Sequence, residues 1–151
     1  MAATANSFEL GTDGPTTIVV AVDGTVTSLR ACAYAAGLAR RQGSRLLAVY
    51  VATVGVLAGA SAAAVVAVRE GTEQTTAELR ELIDQSARER GMAITFVTRT
   101  GDPYTEITRF ADEVRADALV VGASEQRGHR LVGSLAVRLV RAGRWPVTVV
   151  P

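Results

Sequence analysis

Residues 121–140 read VGASEQRGHRLVGSLAVRLV. Gly122 and Gly133 stand eleven positions apart, and Ser134 follows the second directly. These are residue types that suit a phosphate. Glycine lets backbone approach closely, the start of a helix offers free N–H groups, and a hydroxyl adds a donor. Arg127 and Arg130 lie in the same stretch and can pair with an anion, whereas Glu125 repels one. The plain alternative is a strand-to-loop corner at Gly122, a helix cap at Gly133-Ser134 and two solvated arginines. A second candidate is Asp23, in VAVDG, which either closes an Asp-Gly turn or contacts a ligand.

Other chemistries are excluded or weak. All sixteen basic residues are arginine. A Walker-type phosphate loop and a Schiff base both need lysine, so neither is available. His129 is the sole histidine, and no nucleophile-elbow motif accompanies it, so no catalytic residue and no metal site is assigned. Cys32, the sole cysteine, is spaced as a core residue and cannot form an intramolecular disulfide. The net charge of +1 makes no electrostatic case for nucleic acid.

These residues must be positioned by strands and helices. TTIVVAVD (16–23), RLLAVYVA (45–52), MAITFVTR (92–99), ALVVG (118–122) and WPVTVV (145–150) read as strands. The first is apolar on both faces, as expected of a central strand in a parallel sheet. Helices are predicted over 28–42, within 62–90, over 101–117 and over 134–142. Thr25, Thr27 and Ser28 can cap the first, and Gly43 and Gly91 end the first two. Asp102 followed by Pro103 is the N-cap and N1 pair of the third. Leu29, Cys32, Ala33, Ala36 and Arg40 are the expected stripe of the first helix. Leu79, Leu82, Ile83 and Ala87 mark the second, and Ile107, Phe110, Ala111 and Val114 the third. Alternation of strand and helix predicts an α/β fold with a five-stranded parallel sheet and helices on both faces.

The 151 residues suit one domain, read as a loose tail over 1–15 and a folded unit over 16–151. The N-terminus has no signal-peptide pattern, so a cytoplasmic protein is expected. Leu46 to Val68 carries no charge and is long enough to span a bilayer. Its glycines and alanines favour a strand, a loop and a helix start instead, and no membrane partner is expected. The apolar 53–66 portion is either an interaction surface or a loop folded over the first two helices. In such sheets ligands bind beyond the carboxyl ends of the strands, so the ends at Asp23, Tyr50-Val51 and Gly122 bound the expected cleft.

The strand ending VAVDG with Thr25 and Ser28, and ADALVVG followed by a loop, GS and LVRAGRWPVTVV, together resemble the universal stress protein family of the UspA type. The resemblance covers about residues 16–151. It implies a Rossmann-like, adenine nucleotide alpha hydrolase-like fold, a homodimer paired through the last strand (Trp145 to Val150), and a regulatory, non-enzymatic role in stress response. It also implies an adenine-nucleotide cleft. Ala21 and Asp23 would lie at the end of strand one and Val51 at the adenine edge. Gly122, Gly133, Ser134 and Leu135 would stand around the phosphates, and Arg127 and Arg130, in the same stretch, are the candidate side-chain partners beside them. ATP, with Mg when bound, is the cofactor so implied. The loop departs from the pattern of the family's ATP binders: Glu125 replaces a glycine, and two residues are missing between Gly122 and Gly133. ATP, AMP, cyclic AMP or no nucleotide are therefore all open. The alternative is a protein-interaction scaffold acting through the apolar 53–66 loop.

Overall fold

The computed structural model describes residues 14–53, 55, 59–124 and 134–151. The tail assigned to 1–15 therefore lies almost wholly outside the described residues, as do Glu125, Arg127, His129, Arg130 and Gly133. The elements alternate as expected. They are β1 (Thr17–Ala21), α1 (Val26–Gln42), β2 (Arg45–Ala52), α2 (Ala62–Arg90), β3 (Ile94–Thr100), α3 (Pro103–Glu113), β4 (Ala118–Gly122), α4 (Ser134–Ala142) and β5 (Val147–Val150). All pairings are parallel, in the order β3-β2-β1-β4-β5. The chain builds outward from β1 in one direction, then returns to β1's other side with β4. The order thus switches between β1 and β4, where their carboxyl ends part.

Two cores follow from the period-2 alternation of the central strands. Ile18, Val20, Leu46, Ala48 and Val120 face α1 and Ile83 of α2. Val19, Leu47, Val49, Leu119 and Val121 face α3 and α4. The apolar side chains of β1 and β4 are therefore packed on both faces of the sheet, which is why those strands read as apolar runs.

The helix ends match their signals. Thr25 caps α1, Asp102 caps α3 ahead of Pro103, and Gly43 and Gly91 close α1 and α2 in the left-handed conformation. Several expectations need correction. The buried stripe of α1 is Ser28, Ala31, Cys32, Ala35, Ala36 and Ala39, while Ala33 and Arg40 are exposed and Leu29 is half-buried. The helix begins two residues earlier than expected, and its small side chains face the sheet because α1 packs closely there. Leu82 is 47% exposed, set about 100° around α2 from Ile83 and off the buried Leu79–Ile83 seam. The third helix stops at Glu113: Arg115 turns to φ 53, and the chain enters β4. β1, β3 and β5 are shorter than their apolar runs.

The uncharged stretch divides between β2 and α2. Among the described residues no helix is long and apolar enough to cross a membrane. Cys32 is buried in the α1 core, and burial pushes its thiol pKa up despite the opposing field of Arg90. Trp145 is half-buried and packs as a cap on the α3–α4 core, with the Arg144 guanidinium 4.3 Å from its ring centre.

Candidate functional site

A cavity of about 470 Å³ opens at the carboxyl ends of β1, β2 and β4. That is within the ordinary range for a small-molecule site. Ala21, Asp23, Val51, Gly122, Ser134 and Leu135 all line it. Six of the nine residues picked from sequence are thus brought together. Arg127, Arg130 and Gly133 lie outside the described residues.

The floor begins with a local network after β1. Asp23 Oδ1 accepts from the Thr25 N–H at 2.9 Å and the Thr25 hydroxyl at 2.6 Å. The Asp23 N–H donates to Ser28 Oγ at 3.2 Å, and Ser28 Oγ donates to the Thr25 carbonyl at 3.0 Å. Asp23 therefore serves the turn. Burial raises its pKa, but the bonds from Thr25 and Ser28 outweigh this and the net shift is downward. A carboxyl with a depressed folded pKa stabilises the fold above its unfolded pKa near 3.9, and that contribution is lost as pH falls through the lower folded value. The difference in stability between wild type and Asp23→Asn should accordingly be present at pH 7 and fade on acidification below about pH 4. Urea unfolding at several pH values reads it; a pH-independent difference would contradict the assignment.

Gly122 is the tightest point. A Cβ built there would lie 2.6 Å from the Thr27 carbonyl carbon, 2.7 Å from the Ser28 nitrogen and 2.8 Å from the Thr27 oxygen. These are backbone atoms of α1's first turn. Gly122 was expected to let backbone approach a ligand. Its missing side chain admits α1 against β4, and the Thr27 hydroxyl seals the contact by donating to the Ala123 carbonyl at 2.6 Å.

Ser134 is the first residue of α4. Its N–H is one of the four at that terminus that have no partner within the helix. Leu135 and Ala136 continue this wall. The opposite wall contains Pro103 and Ile107 of α3, with Val49 and Val51 of β2 beneath. Sequence reasoning missed Pro103 and Ile107 as site residues. The place of Ile107 in the α3 core stripe signalled burial and said nothing of a cavity. Among the described residues no group of three metal-ligating side chains is found.

The universal stress protein family model matches residues 15–151. The chain belongs to the universal stress protein family. It is 30% identical over 143 residues to a universal stress protein of Methanocaldococcus jannaschii, covering 88% of this chain and 80% of that one. A solved universal stress protein in complex with cAMP is 26% identical, with a TM-score of 0.70 over 91% of this chain and 97% of that chain. A universal stress protein family member from Arabidopsis thaliana with AMP bound is 23% identical. It has a TM-score of 0.66 and covers 90% of this chain and 91% of that chain. For this universal stress protein the likenesses agree with the Rossmann-like parallel sheet found here.

Proposed function

We propose that this universal stress protein is a regulatory, stress-linked homodimer whose cavity binds an adenine nucleotide without turning it over. The observation that carries the reading is the convergence of three strand ends and the start of α4 on one cavity of about 470 Å³. The solved relatives holding cAMP and AMP support it. In this reading Val49, Val51, Pro103 and Ile107 enclose the base, which is flat and apolar on its faces. Asp23, beyond the end of β1, accepts from the ribose hydroxyls through its carboxylate. The N–H groups of the first turn of α4 and the hydroxyl of Ser134 take phosphate, with Gly133, Arg127 and Arg130 as further candidate partners. ATP is one candidate, and its Mg would arrive largely on the nucleotide's own oxygens. β5 stands at the edge of the sheet and pairs with the same edge of a second copy over Trp145 to Val150. The cytoplasm is the proposed compartment.

Isothermal titration of the purified chain with ATP, ADP, AMP and cyclic AMP tests the reading. Saturable heat with at least one is expected, and none with any at millimolar ligand would sink it. A second reading draws on a different observation. Val65, Val66 and Val68 at the start of α2 are 41%, 53% and 42% exposed. That surface suits a scaffold that captures a partner through the 53–66 segment. The same titration separates the two, because the scaffold reading requires no nucleotide at all.

A further inference from the structure

A second groove lies away from the nucleotide cavity, where α2 packs over β3. It measures about 470 Å³ and is lined by one flank of α2 and by Thr98 of β3. β3 ends the sheet on the side opposite β5, and among the described residues no strand lies beyond it. An edge strand is a template for another strand unless something blunts it. Proline and lysine are common guards, and ITFVTRT has neither. Its one charged residue, Arg99, is turned to the α3 side, with its guanidinium 5.2 Å from the Phe110 ring centre and paired with Glu113. The β-branched and aromatic residues that remain suit extended pairing.

The groove beside this edge is acidic and incompletely paired. Glu73, Glu81 and Asp84 line it against one cation, Arg80, whose guanidinium is held 5.0 Å from the Phe96 ring centre. Glu73 pairs with Arg69 at 3.0 Å and Glu81 with Arg88 at 3.2 Å, but both pairs are exposed and are worth little. Asp84 is half-buried and has no ion-pair partner among the described residues. Thr98 Oγ1 is buried and has no hydrogen-bond partner among them either. A buried polar atom left unbonded is destabilising, so a donor that reaches it is favoured. A guanidinium or ammonium group brings what both residues lack, positive charge and N–H donors. A second copy fits this edge poorly. Pairing β3 with β3 would set two such acidic grooves side by side, and like charges across an interface repel.

We propose that the β3 edge takes an extended segment of a partner protein, which adds a strand to the sheet and places an arginine or lysine in the groove against Asp84 and Thr98. Backbone pairing supplies the affinity, and the groove selects the side chain. The site leaves the nucleotide cavity and the β5 edge free. The test is fluorescence anisotropy of the full chain with a labelled, end-blocked peptide TVRVTS, beside the same peptide with glutamine for arginine. Free arginine and spermidine serve as competitors. Saturable binding of the arginine peptide is expected, with slowed amide hydrogen exchange over Ile94–Thr100 in the complex. The glutamine peptide should bind about fivefold more weakly, the coupling of one half-buried charge pair. Asp84→Asn should abolish that preference and leave the glutamine peptide unchanged. Thr98→Val should raise the melting temperature of the free chain, since an unbonded buried hydroxyl is removed, and weaken the arginine peptide. No binding at millimolar peptide, equal affinity for both peptides, or unchanged exchange along β3 in the complex would overturn the proposal. Free arginine or spermidine binding as tightly as the peptide would instead make the groove a small-cation site. Self-association that protects β3 without peptide would assign the edge to a second copy, and either result also overturns it.

Discussion

Replacing Gly122 by alanine is expected to destabilise the protein by about 3 kcal/mol, the upper part of the range for overpacking. For a chain of this size that lowers the thermal midpoint by about 6–12 °C. The cause is the collision of one methyl group with the backbone of Thr27 and Ser28 at 2.6–2.8 Å. A flexible side chain could turn aside, but the first turn of a helix cannot. Either α1 moves off the sheet or β4 bends, and both break the bond from the Thr27 hydroxyl to the Ala123 carbonyl. Thr27, Ser28 and Gly122 also line the cavity, so ligand binding should fall with stability. Gly71 is the control. It lies inside α2 with nothing within 4 Å of its would-be Cβ. Gly71→Ala should stabilise by about 0.5–1 kcal/mol, because alanine is the better helix former. Paired calorimetric melts of the two variants check the opposite signs. Equal midpoints for wild type and Gly122→Ala would disprove the steric account.

The second large effect belongs to Asp117. Its buried carboxylate Oδ2 accepts from the Thr16 N–H at 3.0 Å, the Thr16 hydroxyl at 2.6 Å and the Thr17 N–H at 2.9 Å. The Asp117 N–H donates to the Thr17 carbonyl at 2.8 Å. Together these bonds clamp the amino ends of β1 and β4, the two strands at the switch in sheet order. Asp117→Ala leaves those donors without their acceptor, one of them on buried Thr17. The expected cost is about 3 kcal/mol, since bonds to a charged acceptor are worth about 1.5–3 kcal/mol and an orphaned buried donor about 1–3. Asp117→Asn keeps an acceptor oxygen and should cost roughly 1 kcal/mol. Denaturant melts give both values. The clamp lies at the opposite end of the strands from the cavity, roughly 15 Å away along β1. Ligand affinity of the folded fraction should therefore be unchanged, in contrast to Gly122→Ala. A loss of affinity in folded Asp117→Asn would refute that separation.

Asp117 and Gly122 also mark where sequence reading succeeds and fails. The strand ALVVG and the Asp102-Pro103 helix start were legible because local patterns act within a few residues. Period-2 burial, capping and the missing proline N–H need no distant partner. Thr25, Gly43 and Gly91 belong to the same class. Asp117 stands in the ADALVVG pattern, but its bonding was not legible, because its partners are about a hundred residues earlier in the chain. The stripe of α1 was misjudged for a related reason. A helix rich in alanine has little contrast between its faces, and the close-packed sheet selects which of them is buried.

The residues themselves determined the alternation of strand and helix, the parallel sheet, the absence of any lysine-dependent chemistry, and the strand ends at which a ligand would sit. Each depends on short-range periodicity or on residue type alone. The tertiary structure decided which side of each helix packs, and that Pro103 and Ile107 complete the cavity wall. It also decided that Gly122 makes room for α1 at the site's edge. Those features depend on how closely two elements distant in sequence approach each other. That distance is set by the balance of packing across the whole sheet.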